Sequence, residues 1–90
     1  MHYAIFVRVT DISTGNFADG RLALQPVNSS REQATSYLDT FMGDIAAGRI
    51  ECIRLVDAAG ALALLTAELY RKCLVTAWIS PVDSSPVYDN

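Results

Sequence analysis

The chain has 90 residues, 51% of them hydrophobic, with seven Lys and Arg against ten Asp and Glu for a net charge of −3. That length supports one modest core and no second one, and an acidic balance with scattered basic residues argues against direct, phosphate-driven nucleic-acid binding. The two cysteines are far apart, the start lacks a basic and apolar leader pattern, and no apolar run approaches the length of a membrane span, which together predict a soluble, reduced, cytoplasmic protein.

Residues 3–10 alternate as a strand, with Tyr3, Ile5, Val7 and Val9 on a core side and Ala4, Phe6, Arg8 and Thr10 on the other. Residues 11–20 are rich in turn formers and read as a polar loop, whose Asp19-Gly20 pair leads into a second short strand over 21–27. The two strands are expected to form a hairpin with a long connection. Pro26, lacking an N–H for the ladder, belongs at a strand end or on an edge.

The clearest local signal is a helix over about 30–47. Ala34, Tyr37, Leu38, Phe41, Met42 and Ile45 recur at the spacing of one helical face, opposite Arg31, Glu32, Thr35, Asp39 and Asp44. Ser29 precedes Glu32 by three residues and Ser30 precedes Gln33 by three, so either serine can close a reciprocal capping box. Gly48 supplies the stop, being suited to the left-handed position after a last turn.

Branched residues over 49–57 predict a third strand, with a turn from Asp57 to Gly60. Residues 61–73 fit either one helix or a strand over 61–66 followed by a helical turn over 67–72; Gly60, placed where a hairpin needs it, favours the second reading. Residues 74–79 form the last strand, Pro81 ends it, and 82–90 are expected to be an extended or mobile acidic tail. The result is an α+β domain over residues 1–81, approximately ββαββ(α)β: a mostly antiparallel four- or five-stranded sheet with the long helix packed on one face.

Catalytic patterns are sparse. His2 is the lone histidine, no G-x-S-x-G turn is present, and Cys52 and Cys73 read as small core-filling thiols. No short ligand spacing suggests a metal, and no cofactor motif is complete. Gly15 and Gly20 have the spacing of a phosphate-binding loop, yet Arg21 and Leu22 stand where its Lys and hydroxyl should be, and no helix follows.

One helix covers only part of such a sheet, so the far face, carrying Phe6, Arg8 and Arg54, is the candidate protein interface. In size, acidity and lack of catalytic groups the chain resembles the small inhibitor proteins carried by phages and plasmids, anti-CRISPR proteins among them. The likeness is one of composition and covers no alignable segment. The apolar surplus, the incompletely covered sheet and the absence of catalytic groups lead to the expectation of a non-enzymatic module that inhibits, adapts or regulates a larger protein assembly, an inhibitor of the anti-CRISPR type being its specific form. The apolar surplus also favours burial against a copy of the same chain as a homodimer. The alternative is a homodimeric small-ligand binder or small enzyme whose pocket is lined by Tyr3, Phe6, Arg54 and Trp78.

Overall fold

Alternation at the start of the chain produces an interior strand of the sheet, the one with the longest pairings. The computed structural model describes residues 2–23, 29–57 and 59–82. Strand β1 (His2–Asp11) pairs antiparallel with β2 (Phe17–Leu22) on one side and with β5 (Cys73–Val82) on the other. Beyond β2 lie β3 (Cys52–Val56) and β4 (Leu62–Thr66), giving a five-stranded antiparallel sheet in the order β4-β3-β2-β1-β5. Helix α1 (Arg31–Ala46) packs on β1 and β5, and the short α2 (Ala67–Tyr70) touches β3, β4 and β5. The architecture is the expected ββαββ(α)β.

Two-residue periodicity sorts β1 from Ile5 to Thr10 as predicted: Ile5, Val7 and Val9 are buried in the core with Leu22, Phe41, Ile53, Leu55 and Tyr70, while Phe6 and Arg8 are only partly buried on the opposite side. At the start of the strand Tyr3, expected in the core, is only partly buried, and Ala4, expected on the far side, is buried. The second strand differs from the expectation. It begins at Phe17, inside the segment read as a loop, because the turn chemistry is compressed into residues 11–16. The Asp11 carboxylate accepts from the N–H and hydroxyl of Ser13, the Gly15 N–H donates to the Asp11 carbonyl, and the Asp11 N–H donates to the Asn16 carbonyl. Gly15 takes φ +77°, the left-handed conformation that closes the hairpin. The bonds from Ser13 hold the Asp11 carboxyl below its ordinary pKa.

Asp19-Gly20 is therefore not a turn. Gly20 lies mid-strand, where a Cβ would fall 2.8 Å from the Leu55 Cβ and 3.1 Å from the Val56 carbonyl oxygen, so the glycine permits close approach of β3. The expected continuation to 27 is cut short: β2 ends at Leu22, the Ala23 N–H donates to the Arg54 carbonyl, and Pro26 lies outside the described residues.

Of the two possible caps, Ser30 is the one used. Its side chain accepts from the Gln33 N–H, and the Gln33 side chain accepts from the Ser30 N–H. Ser29 is instead buried, and its carbonyl accepts from the Tyr3 N–H, tying the approach to α1 to the first strand. Gly48 at φ +74° ends the helix. Ala34 and Phe41 are buried, and Leu38, Met42 and Ile45 pack against the core. Tyr37, predicted in this stripe, is 41% exposed. It lies about 80° round the helix from the stripe's centre, at the margin where a ring reaches past the sheet.

The Asp57 carboxylate accepts from the N–H groups of Ala59 and Ala61, and Gly60 takes φ +86°, completing the predicted turn between β3 and β4. The last strand runs through Pro81 to Val82 rather than stopping before it, which removes Val82 from the expected tail; residues 83–90 lie outside the described residues. Strand geometry explains the tolerance. Tyr3 and Asp11 direct their N–H groups toward the β2 side of β1, so the even-numbered residues of β1 bond to the even-numbered residues of β5. Pro81 is odd-numbered, and its missing N–H would have pointed to the free edge.

A short connection bends the whole sheet. Residues 67–72 join Thr66 at one edge to Cys73 at the other, and the Thr66–Cys52 rung lies four positions below the Phe6–Arg21–Val56 row while Cys73–Asp11 lies five above it. A flat sheet would separate those ends by about 35 Å, whereas six linking residues reach about 24 Å even when fully extended. Twist and coiling must close the gap. The coil wraps the core around Tyr70, which is 2% exposed and donates its hydroxyl to the Ile50 carbonyl.

Three substitutions check this packing by denaturant unfolding. Phe41→Ala should cost about 3–5 kcal/mol, while Asp39→Ala, on the exposed side of the same helix, should change stability by no more than about 0.5 kcal/mol. Gly20→Ala should cost about 1–3 kcal/mol through overpacking against Leu55; an unchanged midpoint would show that the close approach of β2 and β3 is not needed.

Candidate functional site: the outer face of the sheet

Both helices pack on the side of the odd-numbered residues of β1, leaving the side of its even-numbered residues without a covering layer among the described residues. Register assigns each side chain on this outer face. One row crosses all five strands: Leu62 on β4, Val56 on β3, Arg21 on β2, Phe6 on β1 and Trp78 on β5. The next rows toward the β1–β2 hairpin are Asp19, Arg8 and Thr76, then Phe17, Thr10 and Leu74. In the other direction Arg54 stands opposite Leu64, and Cys52 opposite Thr66.

The face is both apolar and exposed, with Leu62, Leu64, Phe17, Leu74 and Trp78 ranging from 41% exposure for Trp78 to 61% for Leu62. Leucine, phenylalanine and tryptophan on a strand normally face a core, and a group of them left in water marks a surface built for contact. The Phe6 and Trp78 rings stack with centroids 6.2 Å apart and planes 18° from parallel.

Arg8 is fixed from two directions. Its Nε and Nη2 donate to the two carboxylate oxygens of Asp19 at 2.6 and 2.7 Å, and its guanidinium carbon lies 4.1 Å from the centre of the Phe17 ring. The bidentate bond holds the Asp19 carboxyl below its ordinary pKa and raises that of Arg8. Both groups are solvent-exposed, so the pair orders the surface more than it stabilises the fold. Arg54 is exposed, and no carboxylate of the described residues lies within salt-bridge distance of it. Counting Arg8, Arg21 and Arg54 against Asp19, this face holds three of the seven basic residues and one of the eight acidic ones among the described residues. It is the basic face of an acidic protein.

The expected interface residues Phe6, Arg8 and Arg54 thus share one face, with Arg54 two strands away from the other two. The pocket lining considered as an alternative does not come together. Phe6, Trp78 and Arg54 lie on the outer face, whereas Tyr3 lies on the helix side of β1. Cys73 packs against the core with its thiol 3.4 Å from the Leu69 carbonyl, but Cys52 is on the outer face rather than filling the core; both are free thiols. Asp44, on the polar side of α1, pairs with Arg49 at 2.8 Å.

Sequence reading missed Phe17 and Asp19, because the glycines and aspartates around them imitate a loop. The alternation Phe17, Asp19, Arg21 against Ala18, Gly20, Leu22 was the available signal. No group of three or more His, Cys, Asp or Glu lies within metal-binding reach among the described residues. No helix among them is long and apolar enough to cross a membrane. Comparison with protein-family models, with curated proteins and with solved structures found no match.

The Arg8–Asp19 pair has a pH signature. A carboxyl whose folded pKa is lowered contributes stability that is present above the ordinary carboxylate pKa and is lost as pH falls through the lowered one. In a carbon-detected NMR titration Asp19 should titrate below the ordinary aspartate range, and Arg8→Met should move it back up. An Asp19 midpoint that Arg8→Met leaves in place would show that the bidentate bond does not persist in solution.

Proposed function

We propose that the protein is a non-enzymatic interaction module that inhibits, adapts or regulates a larger protein assembly by seating the outer sheet face on it. An inhibitor of the anti-CRISPR type is the specific form to test first. The observation that carries this reading is the row Leu62, Val56, Arg21, Phe6, Trp78, an apolar and aromatic stripe with one embedded arginine, flanked by Arg8 and Arg54 in neighbouring rows and without a covering layer among the described residues. Aromatic residues and arginine combine large contact area with directional polar bonds, which is why they dominate binding energy at interfaces. Arg8 is already held in place by Asp19 and Phe17, so it loses little side-chain entropy on docking.

The charge of the face defines the partner's chemistry. A surface with an apolar centre and carboxylates at its margin would pair with Arg54, whereas a basic surface would meet like charge. The overall charge of −3 disfavours a nucleic-acid backbone as the target.

Arg54→Glu combined with Leu64→Thr removes one cation and one exposed leucine without entering the core. Stability should stay within about 0.5 kcal/mol of the parent, while partner affinity should fall at least tenfold, about 1.4 kcal/mol. Immobilised parent and variant, exposed to extract of the native host and read by quantitative mass spectrometry, give the test. Equal capture of the same proteins by both, confirmed by calorimetry with the purified partner, would reject this face as the binding surface.

A further inference from the structure

Strand β5 occupies an edge of the sheet and pairs on one side only among the described residues. Its even-numbered residues bond to β1, so the N–H groups of Cys73, Val75, Ala77 and Ile79 point to the free edge. Edge strands are normally guarded by charge, bulges or brevity. None of the ten residues of β5 is charged, and its bulky outer-face side chains Leu74 and Trp78 are exposed. Such an edge invites a partner strand.

We propose that two copies of this chain pair antiparallel through β5, in the register that sets Thr76 opposite its own symmetry mate. A second copy offers the same uncharged edge with donors at the same spacing, and the positions of those donors fix this register. The four free N–H groups are distributed symmetrically about Thr76, so Cys73 meets Ile79 and Val75 meets Ala77 across the two-fold axis, and every one of them finds a carbonyl. Pro81, which has no N–H to give, falls beyond the end of the new ladder. Centring the axis on Ala77 would instead set Pro81 against Cys73 and forfeit a bond. Centring it on Thr76 also places Leu74 of one copy against Trp78 of the other on the outer face, at the close separation of a non-hydrogen-bonded pair.

The pairing joins two five-stranded sheets into one and lays the two outer faces side by side. It stands on the backbone of β5 and does not depend on what the outer face binds. The two readings can fail separately, since Arg54 and Leu64 lie on β3 and β4, away from this edge.

Sedimentation equilibrium on the full chain should give twice the 9.8 kDa chain mass at high micromolar concentration, and a persistent single-chain mass overturns the proposal. Ala77→Pro removes only a donor on the free edge, so the variant should keep the parent's circular dichroism and become monomeric. A folded Ala77→Pro dimer would be a refutation. Should that variant not fold, Thr76→Glu supplies the same test, because it sets two carboxylates face to face across the axis. Its dimer should weaken at neutral pH and recover as the pH falls through the carboxylate range; association at neutral pH equal to the parent's refutes the pairing. Register is read from a disulfide. In a Cys52→Ser, Cys73→Ser background Thr76→Cys should oxidise to a covalent dimer linked 76 to 76, since a non-hydrogen-bonded antiparallel pair has the Cα separation a disulfide requires. Leu74→Cys should not cross-link to itself. A dimer that Thr76→Cys fails to lock overturns the assignment.

Discussion

The connection between β4 and β5 is the constraint on which the rest of the structure depends. Residues 67–72 must carry the chain from one edge strand to the other, and six residues cannot do so across a flat sheet. Coiling is the consequence, and it solves a second problem. A 16-residue helix packs on β1 and β5 but is too narrow to cover five strands. Bending β3 and β4 round toward α2 brings Ile53, Leu55 and Leu65 into the same core as Phe41, with Tyr70 filling the space between and its hydroxyl satisfied by Ile50. The close approach of β3 to β2 that this bending needs is what Gly20 permits.

A sheet coiled around its core presents the opposite surface outward, and strand periodicity decides what that surface carries. Each inward Ile5, Val7 or Val9 on β1 is matched by an outward Phe6, Arg8 or Thr10. Polar residues would suffice there if the face had only to meet water. Instead the outer positions hold Trp78, Phe17, Leu62, Leu64 and Leu74, with arginines between them. Neither the fold nor the core gains from these choices, and the proposed interaction role rests on that excess. The same reasoning applies to β5, whose uncharged edge pairs with no further strand among the described residues.

Local signals made much of this legible in the sequence. The helix was readable because its cap, its stop and its stripe are all written within a few residues of one another, and only Tyr37, at the stripe's margin, was misplaced. The two faces of β1 were readable because a period of two needs no knowledge of neighbours. Gly60 and Asp57 announced the second hairpin. Phe6, Arg8 and Arg54 could therefore be assigned to one face from alternation alone, with the interface itself left as a proposal.

What only the tertiary structure decided are features set by contacts between distant segments. Asp19-Gly20 has the local chemistry of a turn, and it became strand because Arg8 and Leu55, eleven and thirty-five positions away, bind the one and crowd the other. Pro81 is a strand breaker by its own covalent geometry, yet it continues β5 because the edge position leaves its missing N–H unneeded. Local backbone preference fixes which segments become strand or helix, since it acts within a few residues. Strand order, the sense of each hydrogen-bonding edge and the composition of the outer face follow from packing, which acts between residues that the sequence does not place side by side.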